Sequence, residues 1–231
     1  QRQMCIRDRL LLSADPLGRS FAVRRSALLR AGGIDASLGD GCWWALLLAL
    51  DPGEAEVVRI PRVLAHLHRR PKVSASAGAS IVAAALDRRG RPAQVVPFGA
   101  GVRVLWPLTD APHVTVIIPT RHNVAMMQNC LPTLAATDYP SFDVIVVDNG
   151  GRTPEAEQWY VDNRGGLDLE VIWWEEEFNY SRVNNVAAQR ARGEVLLFLN
   201  DDTEAVDADW MREMVSWTQQ PEIGLVGLQL I

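Results

Sequence analysis

The sequence predicts an α/β protein: a mostly parallel sheet with helices on both faces, preceded by a partial, mixed α+β segment. Three observations carry this. From His113 onward, runs such as Val114-Thr115-Val116-Ile117-Ile118 and Val144-Ile145-Val146-Val147 recur without apolar/polar alternation, as strands buried on both faces of a parallel sheet do. Between them lie stretches with apolar residues at helical spacing, which parallel crossovers require. Upstream that alternation is missing, and Pro107 to Pro112 forms a polar, proline-bounded linker between the two patterns.

Gln1 to Arg9 shows no periodicity and reads as an artefactual leader. Phe21 to Ala31 mixes Arg and Leu at helical spacing and is closed by Gly32-Gly33. Trp43 to Leu50 is an apolar helix ended by Asp51-Pro52-Gly53. Glu56 to Ile60 reads as a short strand and Pro61 to His68 as a further extended segment. Ala-rich Ser74 to Arg88 reads as a helix, and Gln94 to Val96 and Val102 to Trp106 as two short strands. The regular half then runs as strand His113 to Ile118, helix Val124 to Ala136, strand Phe142 to Val147, helix Thr153 to Asn163 and strand Leu167 to Trp174. It continues with helix Ser181 to Ala191, strand Val195 to Leu199, helix Asp207 to Gln219 and strand Ile223 to Ile231. The expected divisions are 1–9, 10–75, 76–112 and 113–231. An apolar run that stops at Ile231 suggests a fragment.

The apolar fraction of 48% fits a globular protein. A net charge of -5 argues against bulk attraction to nucleic acid or an anionic membrane. Cys5, Cys42 and Cys130 are odd in number and form no CxxC, so neither a zinc site nor a disulfide framework is indicated. No apolar run is long enough to span a bilayer.

Right-handed crossovers place every strand-to-helix loop on one sheet edge, where open α/β sheets bind ligands. Three of these loops are polar: Pro119-Thr120-Arg121-His122-Asn123, Asp148-Asn149-Gly150-Gly151 and Asn200-Asp201-Asp202-Thr203. Asp148 and Asn149 can hydrogen-bond a base or ribose, and the two glycines allow close backbone approach. The two carboxylates and the amide of Asn200, Asp201 and Asp202 suit a hard divalent cation whose other ligand is a diphosphate. The competing reading is an acidic turn with Asp or Thr as a helix N-cap. Neither GxGxxG nor GxxxxGK[ST] occurs. Phe178 to Asn185 (FNYSRVNN) opens a helix with Ser181 as N-cap. Arg182 there either pairs with phosphate or is a solvated helix residue. His122, beside the first loop, either touches a phosphate or is a solvated loop residue, the commoner case for a lone histidine. His66 and His68 alternate along a strand with no third ligand nearby. Trp210 and Trp217 share a helical face and read as core.

Four segments, VTVIIPTRHN (Val114 to Asn123), DYPSFDVIVVDNGG (Asp138 to Gly151), FNYSRVNN and RGEVLLFLNDDTE (Arg192 to Glu204), together resemble a family-2 glycosyltransferase with the GT-A (Rossmann-like) fold, of the bacterial cell-surface polysaccharide or O-antigen type. The resemblance covers His113 to Ile231. It implies that Pro119, Thr120, Asp148 and Asn149 contact base and ribose, and that Asn200, Asp201 and Asp202 stand at the DxD position. Asp202 would then be the direct ligand of Mn²⁺ or Mg²⁺, and Arg182 a phosphate partner. SFAVRRSALLRAGGID (Ser20 to Asp35) and VVRIPRVLAHLHRRP (Val57 to Pro71) resemble the acceptor-side end of a preceding transferase-like domain. There Ala45 and Ala49 replace the acidic residue and the Arg that the family carries.

The resemblance further implies a nucleotide-diphosphate sugar donor, a saccharide or lipid-linked saccharide acceptor, and a cytoplasmic location, with peripheral association at the inner face of the plasma membrane fitting the class. The family's catalytic base is an acceptor-side carboxylate that no residue between His113 and Ile231 matches, so no catalytic residue is assigned. Two other functions compete: a non-catalytic nucleotide-sugar binding module, and a nucleotidyltransferase. The latter calls for a glycine-rich basic loop after the first strand, and Pro119-Thr120-Arg121-His122 has no glycine.

Overall fold

The structure is a computed structural model that describes residues 10–15, 21–50 and 73–227. It divides into two compact units, Gln1–Pro107 and Leu108–Ile231. The first contains α1 (Arg25–Arg30), a 3-10 turn (Ala36–Gly41), α2 (Cys42–Ala49), α3 (Ala75–Arg88), β1 (Gln94–Phe98) and β2 (Gly101–Leu105). Helix α1 is shorter than the Phe21 to Ala31 pattern, and none of its residues is buried. With no packed face to support it, local propensity alone does not extend a short helix. Strands β1 and β2 pair antiparallel. Helix α3 approaches Trp44 through Gly78, where a Cβ would stand 2.5 Å from the indole ring. The expected strand Glu56 to Ile60, the segment Pro61 to His68 with His66 and His68, the leader Gln1 to Arg9 and Cys5 lie outside the described residues.

The second unit alternates as expected: β3 (Val114–Thr120), α4 (Val124–Ala135), β4 (Phe142–Asp148), α5 (Pro154–Asn163), β5 (Leu169–Trp173), α6 (Tyr180–Arg190), β6 (Val195–Phe198) and α7 (Trp210–Thr218). The four strands form a parallel sheet in the order β5-β4-β3-β6. Val114, Val116 and Ile118 of β3 and Val144 and Val146 of β4 pack with Met127, Leu131 and Leu134 of α4, Tyr160 of α5, and Trp210, Met211 and Val215 of α7. The alternate residues Ile117, Ile145, Val147 and Ile172 pack with Val183 and Ala187 of α6. The period-2 alternation of strand side chains thus serves two cores at once, which is why the strands carry no polar face.

Four differences from the sequence expectation have local causes. Strand β3 runs on through Pro119 and Thr120, which pair with Val147 and Asp148. Leu199 N donates to Ile117 O at 3.0 Å, so the odd residues of β3 turn their backbone groups toward β6. The N–H that Pro119 lacks would face that side, beyond the end of β6, so proline is tolerated there. Helix α6 is capped by Asn179, whose side chain accepts from Arg182 N at 3.0 Å, not by Ser181. Trp217 is only half-buried, whereas Trp210 packs in the core. Residues 223–227 form no strand, and 228–231 lie outside the described residues.

At the amino edge of the sheet a buried carboxylate ties the strand starts together. Asp143 Oδ1 accepts from Thr115 Oγ1 at 2.7 Å and pairs with His113 Nε2 at 3.0 Å. Its Oδ2 pairs with Arg192 Nη2 at 3.0 Å, and the same guanidinium reaches Asp168 at 2.6 Å. Thr115 Oγ1 in turn accepts from Gly193 N at 2.9 Å. Removing the acceptor orphans a buried hydroxyl, takes a partner from the His113 ring and leaves Arg192 with Asp168 alone. Asp143→Ala is expected to lower unfolding stability by about 2–4 kcal/mol, measured as a lower urea midpoint.

Candidate functional site

The chain runs outward from β3 through β4 to β5, then returns across the sheet to place β6 on the other side of β3. This reversal is a topological switch point, and the crevice at the strands' carboxyl ends there is the usual ligand site of open α/β sheets. Thr120 ends β3 and Asn200 to Asp202 follow β6, so the two stand on opposite sides of the crevice. Thr120 Oγ1 donates to Asp201 Oδ2 at 2.7 Å and accepts from Asn123 N at 3.3 Å. Asp202 and Asn200 are exposed. The next helix begins only at Trp210, with Asp209 as its uncapping N-terminal neighbour. The acidic loop is therefore a turn (Thr203 N donates to Asn200 O at 3.2 Å) and not a helix cap. It is anchored from below by Ala205 N donating to Thr133 Oγ1 at 3.1 Å and Asp138 N donating to Ala208 O at 2.7 Å. A concavity of about 300 Å³ lined by Pro132, Thr133, Ala205 and Val206 lies behind this loop, away from the strand ends.

Asp148 ends β4 and is fully buried. Its Oδ1 accepts from Gly150 N at 2.7 Å, and its Oδ2 from Tyr160 Oη at 2.7 Å and from His122 Nδ1 at 3.0 Å. His122 has φ 54°, the one positive φ outside glycine among the described residues, a conformation that costs on the order of 1 kcal/mol. Its ring meets Trp159 and Tyr160 edge-on, with centroids 5.9 and 5.8 Å away. Gly150 is required here, because a Cβ would run into His122 Cβ and stand 2.8 Å from Arg121 O. His122 is therefore a half-buried, carboxylate-held residue rather than a solvated one. Asp148, expected to touch base or ribose, is enclosed and accepts from these three donors.

Asn149 links loops rather than standing free. Its Nδ2 donates to Trp174 O at 2.8 Å and Glu176 O at 2.9 Å, and its backbone N to Thr120 O at 2.9 Å. Both amide protons are thereby committed, and the side-chain carbonyl is the remaining acceptor. Arg182, on the first turn of α6, pairs with Glu176 at 2.5 Å and lies over the Trp174 ring at 5.3 Å. Arg121 lies over Phe178 at 5.2 Å. Tyr180 Oη reaches Asn200 Oδ1 at 3.5 Å, joining α6 to the acidic loop.

Residues 115–230 match the glycosyl transferase family 2 domain. The chain belongs to that family. The matched residues lie in the second unit, the one with the parallel four-stranded sheet. Among relatives of this family 2 chain, the O-antigen biosynthesis protein RfbC of Myxococcus xanthus is 35% identical over 238 residues, covering 96% of this chain and 18% of that protein. The glycosyltransferase AglE of Haloferax volcanii is 28% identical over 118 residues, covering 50% of this chain and 38% of that protein. The chain thus spans less than half the length of these curated relatives. A solved structure with similarity is the mannosyltransferase PcManGT from Pyrobaculum calidifontis in complex with GDP-Man and Mn²⁺, at 28% identity and a TM-score of 0.46, covering 50% of this chain and 35% of that one.

Of the residues singled out in this family 2 sequence, the fold brings Thr120, Asp201, Asp202 and Asn200 to one crevice. Pro119 lines β3 just below it, Asn149 braces the neighbouring loop, and Arg182 is taken by Glu176. Tyr160 and Trp159 carry the His122–Asp148 pair and were not anticipated, since an aromatic pair on a helix reads as ordinary core. No group of three or more His, Cys, Asp or Glu side chains converges among the described residues. That donor set still fits Mn²⁺ or Mg²⁺, because such ions are commonly held by one or two carboxylates and completed by substrate phosphates and water.

The acidic loop also acts on Cys130 in α4. Burial pushes this thiol up from 9.0 to about 12, and Asp201, Asp202 and Glu204 add to the shift. The unfolded chain then loses this proton before the folded one does, so stability falls as pH rises above about 9, by about 1.4 kcal/mol per pH unit from this group. Urea midpoints between pH 8 and 10 are expected to decline less steeply in Cys130→Ala than in the unsubstituted protein.

Proposed function

We propose that residues 113–231 bind a nucleotide-diphosphate sugar, with a divalent metal, as the donor side of a glycosyltransferase that extends a cell-envelope polysaccharide. The observation that carries this reading is the Thr120–Asp201 hydrogen bond across the switch-point crevice, with Asp202 exposed beside it, in a family 2 chain. Asp201 is held by Thr120 and so presents its second carboxylate oxygen in a fixed direction. Exposed Asp202 is the proposed ligand of Mn²⁺ or Mg²⁺. The metal, when bound, would neutralise the leaving diphosphate. Pro119, Thr120, Asn149 and Asn200 would line the nucleotide. Asp148 would act on it from below, and Arg182 could turn from Glu176 to phosphate, an exchange of one anionic partner for another.

The acceptor is proposed to be a saccharide or a lipid-linked saccharide, in keeping with the O-antigen relative. No helix among the described residues is long and apolar enough to cross a membrane. The proposed location is the cytoplasm, at the inner face of the plasma membrane. The group that removes the proton of the acceptor hydroxyl is assigned to none of the described residues. Residues 10–75 are proposed to be the remnant of a preceding transferase-like domain.

Calorimetric titration with UDP, dTDP and GDP, each with and without Mn²⁺, tests the reading. One of the three is expected to bind in a metal-dependent way. Asp202→Ala is expected to weaken that binding at least tenfold, while leaving the thermal midpoint nearly unchanged because the side chain is exposed. A folded protein that binds none of the three would overturn the proposal.

A further inference from the structure

We infer that His122, oriented by Asp148, is the side chain that meets the donor at this edge, with its Nε2–H donated to an oxygen of the nucleoside diphosphate. The inference rests on the donor-site reading above and adds His122 to the residues that reading names. Asp148 itself is enclosed, and all three of its hydrogen bonds come from within the unit, from Gly150, Tyr160 and His122. A carboxylate that only accepts fixes the proton of the imidazole on Nδ1. Nε2 then points away from Asp148. It has no partner among the described residues and is not among the enclosed unpaired atoms, and the side chain keeps 25% of its surface open. The ring meets Trp159 and Tyr160 edge-on, and Gly150 closes against its Cβ. A positive φ at a histidine, fixed from three directions and ending in one open nitrogen, is costly backbone spent on orienting that nitrogen.

The charges around the ring decide which state the ligand would favour. Asp148 lies beneath it, on β4. Tyr160 stands beside it on α5, held neutral by burial and by its bond to Asp148. Asp201, on the loop after β6, is close enough to act on Tyr160. Arg121, the neighbour in the chain, is turned over Phe178. With Nδ1 committed to Asp148, only the imidazolium carries a hydrogen on Nε2 as well, and an anionic ligand at Nε2 favours that form. His122 is thus a binding residue and Asp148 a positioning residue that works through it. Binding should take up a proton and weaken as pH rises through the histidine's range. Each unit by which the ligand raises the His122 midpoint corresponds to a tenfold fall in affinity across that range.

The test uses the four histidines, His66, His68, His113 and His122, whose Cε1–H resonances can be followed by NMR. The His122 signal is identified by its loss in His122→Gln. The expected result is that UDP, GDP or dTDP, whichever binds with Mn²⁺, raises the His122 midpoint pH while leaving His113 unmoved. His122→Gln, which keeps an N–H donor but no charge, should bind at pH 8 nearly as well as the unsubstituted protein and lose the tenfold gain at pH 6. The matching nucleoside and inorganic pyrophosphate, titrated separately, tell a base carbonyl from a phosphate oxygen as the contact. If the nucleotide binds but the His122 midpoint stays or falls, the inference is overturned and the donor-site reading stands. If no nucleotide binds at either pH, both fall.

Discussion

The Asp143 carboxylate is the constraint on which the second unit depends. It holds the start of β3 through His113 and Thr115, and the entry to β6 through Arg192, with Gly193 locked onto Thr115. Parallel strands receive no register from a hairpin turn; their pairing must be set by something else. With the amino ends fixed, the equal lengths of β3 and β4 bring Thr120 level with Asp148, and the shorter β6 ends with Leu199 N donating to Ile117 O. The polar loops meet because the strands below them cannot slip.

The two edges of the sheet use buried acids differently. Asp143 is surrounded by a guanidinium, an imidazole and a hydroxyl and closes a seam. Asp148 is surrounded by a phenol, a backbone amide and an imidazole, and supports a loop above it. In both cases the desolvated carboxylate is stable because every lone pair that faces the protein has a donor. At the crevice Asp201 is half-buried and held by Thr120, while Asp202 is open to solvent; both lie near enough to Cys130 to add to the upward push that burial gives its thiol.

The alternation of β-branched runs and amphipathic stretches made the second unit legible, since a strand buried on two faces leaves a pattern that little else imitates. The same local signal misplaced details wherever two residue types compete for one role. In Asn179-Tyr180-Ser181 both polar residues can cap a helix, and only the chain's approach to β5 selects Asn179. Pro119 looked like a strand end, because a sequence does not say which side of a strand has no neighbour. The acidic loop and Thr120 were legible as candidates, but the bond between them spans 81 positions. Asp148 was read as ligand-facing for the same reason: its cover comes from His122 and Tyr160, on two other elements. The mixed first unit gave weaker signals, since isolated short strands and an exposed helix lack the periodic burial that fixes boundaries.

Pro119 has a consequence for how freely this region can drift. Opposite Leu199 any other residue would offer an amide proton to the next carbonyl of the β6 strand, and the ladder could zip upward by another rung. The crevice beside Thr120 would then narrow at its floor. A ring that withholds one proton acts as a doorstop: the floor of the crevice is kept open by a hydrogen bond that never forms.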